Sequence, residues 1–225
     1  MRKIILVTLT ALVFSFVVHA EAALENRGTD SLGNQLIYDN DLNITWYDLT
    51  NFGNTWNDQV AWAENLTVNF GGTIYDDWRL PSTVDGEYVF GYDGSTTGGY
   101  NITSSELGYL FYESLGNHGE RTATGSKQSC SGAPPYCMTN SGPFNKLEAY
   151  AYWSGTEYSK NDMLAWGFST AFGDQVITDK DVSTNYGIAV LDGDVGLVVA
   201  PEPISSILFL TGGAAMGLRR FYRKK

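Results

Sequence analysis

The residues able to do chemistry are few and widely spaced. Cys130 and Cys137 share one Gly/Ser/Pro-rich stretch, and His118 stands alone in a Gly-Asn-His-Gly segment. Nucleophilic catalysis needs an activated group beside a base. No G-x-S-x-G turn is present, so a serine triad has no support and no catalytic residue is assigned. Two thiolates without neighbouring histidines make a poor four-ligand metal set. A Cys130–Cys137 disulfide is the simpler reading of two cysteines so close in one loop. Closing that short ring would contribute about 2.5 kcal/mol on a chain-entropy estimate. The carboxylates are the remaining reactive groups, with 25 Asp and Glu residues. Chance pairs abound in such a composition, so a glycosidase-type pair is an alternative rather than a conclusion.

Two further clusters bear on ligands. Tyr88, Phe90, Tyr92 and Tyr100 lie in a Gly/Ser/Thr-rich stretch. Rings among polar neighbours suit stacking on sugar faces. The same spacing also fits plain strand alternation, with Tyr88, Phe90 and Tyr92 on one face. Asp39-Asn40-Asp41-Leu42-Asn43 has the opening spacing of a calcium loop. It carries Ile44 where Gly is needed and Thr50 where Glu is needed, and so fails the ligand pattern. No metal or cofactor is assigned, although calcium on clustered carboxylates stays open.

Both ends of the chain read as targeting segments. Arg2 and Lys3 precede an apolar run from Ile4 to Val18, and Ala20-Glu21-Ala22 fits a signal-peptidase site, so residues 1–22 are expected to be a signal peptide. At the other end Pro201-Glu202-Pro203 precedes a mostly apolar run, Ile204 to Leu218, and then a basic cluster opening with Arg219-Arg220. The apolar run is short for a full membrane span, and the basic cluster favours a cytoplasmic terminus. This order closely resembles the PEP-CTERM sorting signals of exopolysaccharide-producing bacteria. The resemblance implies a short transmembrane helix over 201–225 that holds the precursor in the inner membrane. It also implies recognition by the protease-transpeptidase exosortase, and a destination at the cell surface or in the extracellular matrix.

Between the ends, residues 23–200 form one expected domain. Setting the two ends aside leaves 7 basic and 23 acidic residues, a net charge of −16. Such a surface repels nucleic acid and anionic lipid headgroups, which makes both poor partners.

Elements must position these groups. Leu36–Tyr38 and Ile44–Tyr47 read as paired strands around a polar turn. Thr55 caps an expected helix with Trp56, Val60, Ala63 and Leu66 on one face. A second helix is expected over about 103–115, with Thr103 and Glu106 as a capping box and Gly116 closing it. A long loop follows over roughly 116–146. Strands are then expected near 150–154, 164–171, 175–178 and 186–199.

The block Asp77-Trp78-Arg79-Leu80-Pro81 is the strongest internal motif, followed by Ser105-Glu106-Leu107 and Tyr152-Trp153-Ser154-Gly155-Thr156. In this order the pieces resemble the Lcl-type domain of unknown function, grouped with C-type-lectin-like folds. The resemblance implies an α+β domain with two helices and curled antiparallel sheets. Arg79 could form a fork to Glu106 or Asp77, or serve a ligand. Trp78, Trp153 and Trp166 read as core aromatics. Trp56-Asn57-Asp58 spells a calcium-lectin triplet but falls in the first helix, where it has no such meaning. The functional expectation is a non-catalytic, exported surface or matrix protein that could bind exopolysaccharide. A matrix-active hydrolase and a purely structural module are the alternatives.

Overall fold

The central strands carry neighbouring apolar residues, and because successive side chains of a strand point opposite ways, such pairs are buried on both faces of one sheet. In the computed structural model, which describes residues 24–182 and 184–196, that sheet is present. Ile37, Trp46, Tyr152, Ile188 and Val190 face one core. Their immediate neighbours Leu36, Tyr47, Trp153 and Ala189 face the other. Opposite direction of successive side chains along a strand makes this division.

The strands are β1 (Leu24–Thr29), β2 (Gln35–Asp39), β3 (Ile44–Asn54), β4 (Val68–Phe70), β5 (Thr73–Tyr75), β6 (Phe90–Gly91), β7 (Gly98–Tyr100), β8 (Ala151–Glu157), β9 (Leu164–Ser169), β10 (Asp174–Asp179) and β11 (Asn185–Asp192). Nine of them form one sheet in the order β1-β2-β3-β11-β8-β9-β10-β7-β6, and β4 pairs only with β5. One face is covered by helix α1 (Trp56–Glu64), by Val68 and by Trp78 and Leu80. The other is covered by helix α2 (Glu106–Tyr109), its π-helical continuation Leu110–Ser114, and Met138, Phe144 and Leu147 of the long loop.

The expected curled antiparallel, C-type-lectin-like sheets are not what forms. The sheet is mixed, open and uncurled. β8 lies parallel to β11 through Tyr152 and Tyr186, and β6 lies parallel to β7. Alternation of apolar residues specifies which face a side chain takes, but neither the neighbour nor its direction. The α+β class with two helices holds.

Helix details differ too. Thr55 does cap α1, accepting from the Asp58 amide. The second helix begins later than expected, with Ser105 as its cap and Oγ accepting from the Gly108 amide at 3.1 Å. Glu106 is spent elsewhere, as shown below, so no Thr103–Glu106 capping box forms. Gly116, at φ +65°, ends the element as expected. The lectin-like and transmembrane expectations are both corrected: the sheet is flat and mixed, and among the described residues no helix is long and apolar enough to cross a membrane. The expected signal segment 1–22 and tail 201–225 lie outside the described residues, and with them Pro201, Glu202, Pro203, Arg219 and Arg220.

Candidate functional site

The three separated motif pieces meet at one place. Arg79 Nη1 and Nη2 donate to the two carboxylate oxygens of Glu106, each at 2.8 Å. Glu106 Oε2 also accepts the Ser82 amide at 2.6 Å. The Pro81 carbonyl accepts from Ser154 Oγ at 2.9 Å and from the Gly155 amide at 2.8 Å. Arg79 further reaches Asp192 Oδ1 at 2.6 Å, while Asp77 is exposed and lines an acidic hollow with Tyr75, Asp76, Leu191 and that same Asp192. The glutamate holds the guanidinium charged: hydrogen bonds from Arg79 to Glu106 raise its pKa against the cost of burial. Trp78, Leu80 and Trp153 are buried core residues, and Trp153 donates its indole N–H to the Asn54 carbonyl at 3.0 Å. With its donors taken up by protein partners, this motif acts as a clamp between strand, loop and helix.

A different region presents groups outward. Gly98 and Gly99 of β7 have no side chains, so β6 and Tyr88 can approach closely. A Cβ on Gly99, whose φ is +103°, would sit 1.9 Å from the Gly91 carbonyl oxygen. This approach places Phe90 and Tyr92 at the sheet edge, 47% and 39% exposed. Tyr100 lies beneath them, its ring stacked with Tyr92 at 6.0 Å and edge-on to Phe90 at 6.1 Å. Asn101 secures the turn, donating from Nδ2 to the Tyr92 carbonyl at 2.7 Å. Tyr88 is not part of this cluster: its ring packs on Trp166 at 5.9 Å. Of the four aromatic candidates, three come together and one faces the interior.

The aromatic edge is continuous with a cleft through Glu120. The Tyr100 hydroxyl donates to Glu120 Oε2 at 3.4 Å, and Lys127 Nζ lies 3.3 Å from Oε1. Burial, then Asp174 and Glu120, push the Tyr100 hydroxyl up to about 12, so it remains a donor. Burial likewise raises the Asp174 carboxyl above the ordinary range, with Glu120 adding to it. Beyond Glu120 the cleft encloses about 620 Å³, walled by Tyr136, Phe172, Gln128 and the Cys130 end of the disulfide ring. Tyr136 and Phe172 form a tilted ring pair at 5.4 Å.

The Cys130–Cys137 disulfide is present. It shapes the cleft by closing the segment that forms its wall. Asp39 sits at the β2–β3 turn with Oδ1 accepting the Asp41 and Leu42 amides, which are ordinary turn contacts. Among the described residues no three His, Cys, Asp or Glu side chains gather as a metal-ligating group. Sequence reasoning missed Glu120, Tyr136 and Phe172. They lie in or beside loops without periodicity, and only the chain path brings them together. No protein-family model, curated protein or solved structure matches this chain.

Proposed function

We propose that this chain is an exported, non-catalytic surface or matrix protein that binds a polysaccharide along the Phe90–Tyr92 edge and the cleft beside it. The observation that carries the reading is the supported ring pair. Two exposed aromatic faces rest on a third ring and adjoin carboxylate, amine and amide groups in the Glu120–Lys127–Gln128 wall. Apolar ring faces suit the C–H faces of sugars, and the polar groups suit their hydroxyls. The disulfide supports an oxidising compartment. Export by signal peptidase and sorting by exosortase follow from the terminal motifs and their PEP-CTERM resemblance.

Charge narrows the ligand. A domain of net charge −16 repels polyanions at long range, so a neutral polysaccharide is the favoured class. The test is calorimetric titration of the purified chain with the producing organism's own exopolysaccharide, in calcium and in chelator. Saturable binding, weakened at least tenfold by Phe90→Ala with Tyr92→Ala, is the expected result. Binding unaffected by both substitutions sinks the assignment of this face. The hydrolase alternative has one specific support, the buried Asp174 carboxyl, whose pKa is raised by burial and by the nearby Glu120 charge. Turnover of the polysaccharide that disappears in Asp174→Asn would replace the binding role with that one.

A further inference from the structure

A second cleft lies on the other side of the disulfide ring. Phe52, Tyr186 and Tyr150 form a row of rings across the neighbouring strands β3, β11 and the start of β8. Tyr150 and Tyr186 are stacked, with centroids 4.1 Å apart and planes 19° apart. Phe52 meets Tyr186 edge-on at 5.3 Å. Tyr150 is 45% exposed and Phe52 66%, so the row is open along its outer side. Beside Tyr150 and Tyr186 is a cavity of about 450 Å³, whose other wall includes Pro134, Pro135, Thr139, Ser141 and Glu148.

This wall is held in place before any ligand arrives. Buried Asp48 accepts the Asn145 and Lys146 amides at 2.8 and 3.0 Å. The Lys146 carbonyl accepts from Thr50 Oγ1, and the Glu148 amide donates to the Tyr152 hydroxyl at 2.9 Å. Thr170 Oγ1 accepts the Tyr150 amide and donates to the Glu148 carbonyl. Four side chains of the sheet and its following turn therefore fix the backbone from 145 to 150. A site whose walls are already ordered loses little entropy on binding.

We propose that this cleft is a second saccharide site, stacking a neutral sugar ring on Tyr150 and accepting its hydroxyls at Glu148, Thr139 and Ser141. This rests on the same ligand class as the function proposed above, but on separate residues. Two features favour a sugar over a peptide. β8 and β11 are inner strands, so no free backbone edge is offered for strand addition. The cleft wall carries no Lys or Arg, and Glu148 lies on it, which disfavours an anionic ligand. Because the disulfide ring contributes Pro134 and Pro135 here and Cys130 to the first cleft, the two sites flank one rigid element. Joined occupancy by one long chain would raise avidity without any new contact.

The experiment titrates the full chain with neutral hexasaccharides of glucose, mannose and galactose, following chemical shifts and tyrosine fluorescence. It is run in the parent and in the Phe90→Ala/Tyr92→Ala background. Expected is saturable binding in that background, lost on Tyr150→Ala, and retained on Tyr150→Phe because the ring face remains. Long polysaccharide should bind at least tenfold more weakly when either site is removed. Loss at Tyr150 with no effect at Phe90 and Tyr92 would keep the second site and discard the first. Unchanged binding in Tyr150→Ala, absence of binding by all three sugars, or displacement by a proline-rich decapeptide that binds there more tightly overturns the proposal.

Discussion

Glu106 closes a two-pronged ion pair on Arg79, 27 residues earlier in the chain, at 2.8 Å through both oxygens. The same guanidinium also reaches Asp192 from the last strand. The two partners differ in environment: the Glu106 side chain is 15% exposed and that of Asp192 is 79% exposed. Water screens the second contact far more than the first.

Stability should follow that difference. Glu106→Gln is expected to cost about 1–3 kcal/mol, discounted toward the low end because water reaches a third of Arg79. Asp192→Asn should cost about 0–0.5 kcal/mol. Arg79→Lys keeps the charge but loses the fork, and should resemble Glu106→Gln more than a silent change. Urea midpoints of the three variants decide it; equal costs at Glu106 and Asp192 would contradict the burial argument.

The start of the second helix can be tested by caps. Ser105 is buried and accepts the Gly108 amide, so Ser105→Ala should lose about 1 kcal/mol. Thr103→Ala should be near neutral. The reverse order would restore the capping box that the spacing of Thr103 and Glu106 predicts.

Two buried carboxyls should tilt stability with pH in opposite senses. Burial works against ionising Asp30, but hydrogen bonds from Tyr47, Asn34 and the Leu32 and Asn34 amides outweigh it and hold its pKa below 3.8. Its contribution is therefore complete above the unfolded value and lost as pH falls through the folded one. Tyr47→Phe should make acid unfolding set in at a higher pH. Asp39 is the opposite case, with burial raising its pKa above 3.8 despite hydrogen bonds from the Leu42 and Asp41 amides and the Ser114 hydroxyl. The fold then loses stability as pH rises from the unfolded value through the folded one, and Asp39→Asn should flatten that slope. Denaturant unfolding at steps from about pH 3 to 7 reads both slopes.

The disulfide walls both clefts. Its reduction should lower stability by about 2.5 kcal/mol on the chain-entropy estimate. It should also weaken saccharide binding at both sites together, because Cys130 borders one cavity and Pro134 the other. Calorimetry of the Cys130→Ser/Cys137→Ser variant checks this; loss at one site alone would show that the ring supports only that side.

Gly99→Ala offers a local lesion. Its Cβ would meet the Gly91 carbonyl, so β6 cannot stay paired with β7. The expected outcome is a folded core with Phe90 and Tyr92 displaced. Core tryptophan fluorescence should be retained while binding at the first edge is lost. Global unfolding at ambient temperature would mean that β6 matters to the whole sheet.

Much was legible from residue order alone. The runs Leu36–Tyr38 and Ile44–Tyr47 announce paired strands around a polar turn, and they form β2 and the start of β3. The two closely spaced cysteines announce their bridge, and Arg79 among bulky neighbours announces a need for a carboxylate. The first helix was legible through Thr55 and its polar first turn. What alternation cannot encode is which strands become neighbours and in which direction they run, because each strand exposes the same backbone groups on either side. Hence the parallel meeting of Tyr152 with Tyr186, and the mixed rather than antiparallel sheet, belong to the tertiary structure alone. So does the choice of Ser105 as cap, because Glu106 is drawn away by Arg79 and Ser82. Both clefts are of this kind: Glu120, Phe172, Tyr150 and Tyr186 follow no local period, and become sites only when the long loop, closed by its disulfide, is laid against the sheet.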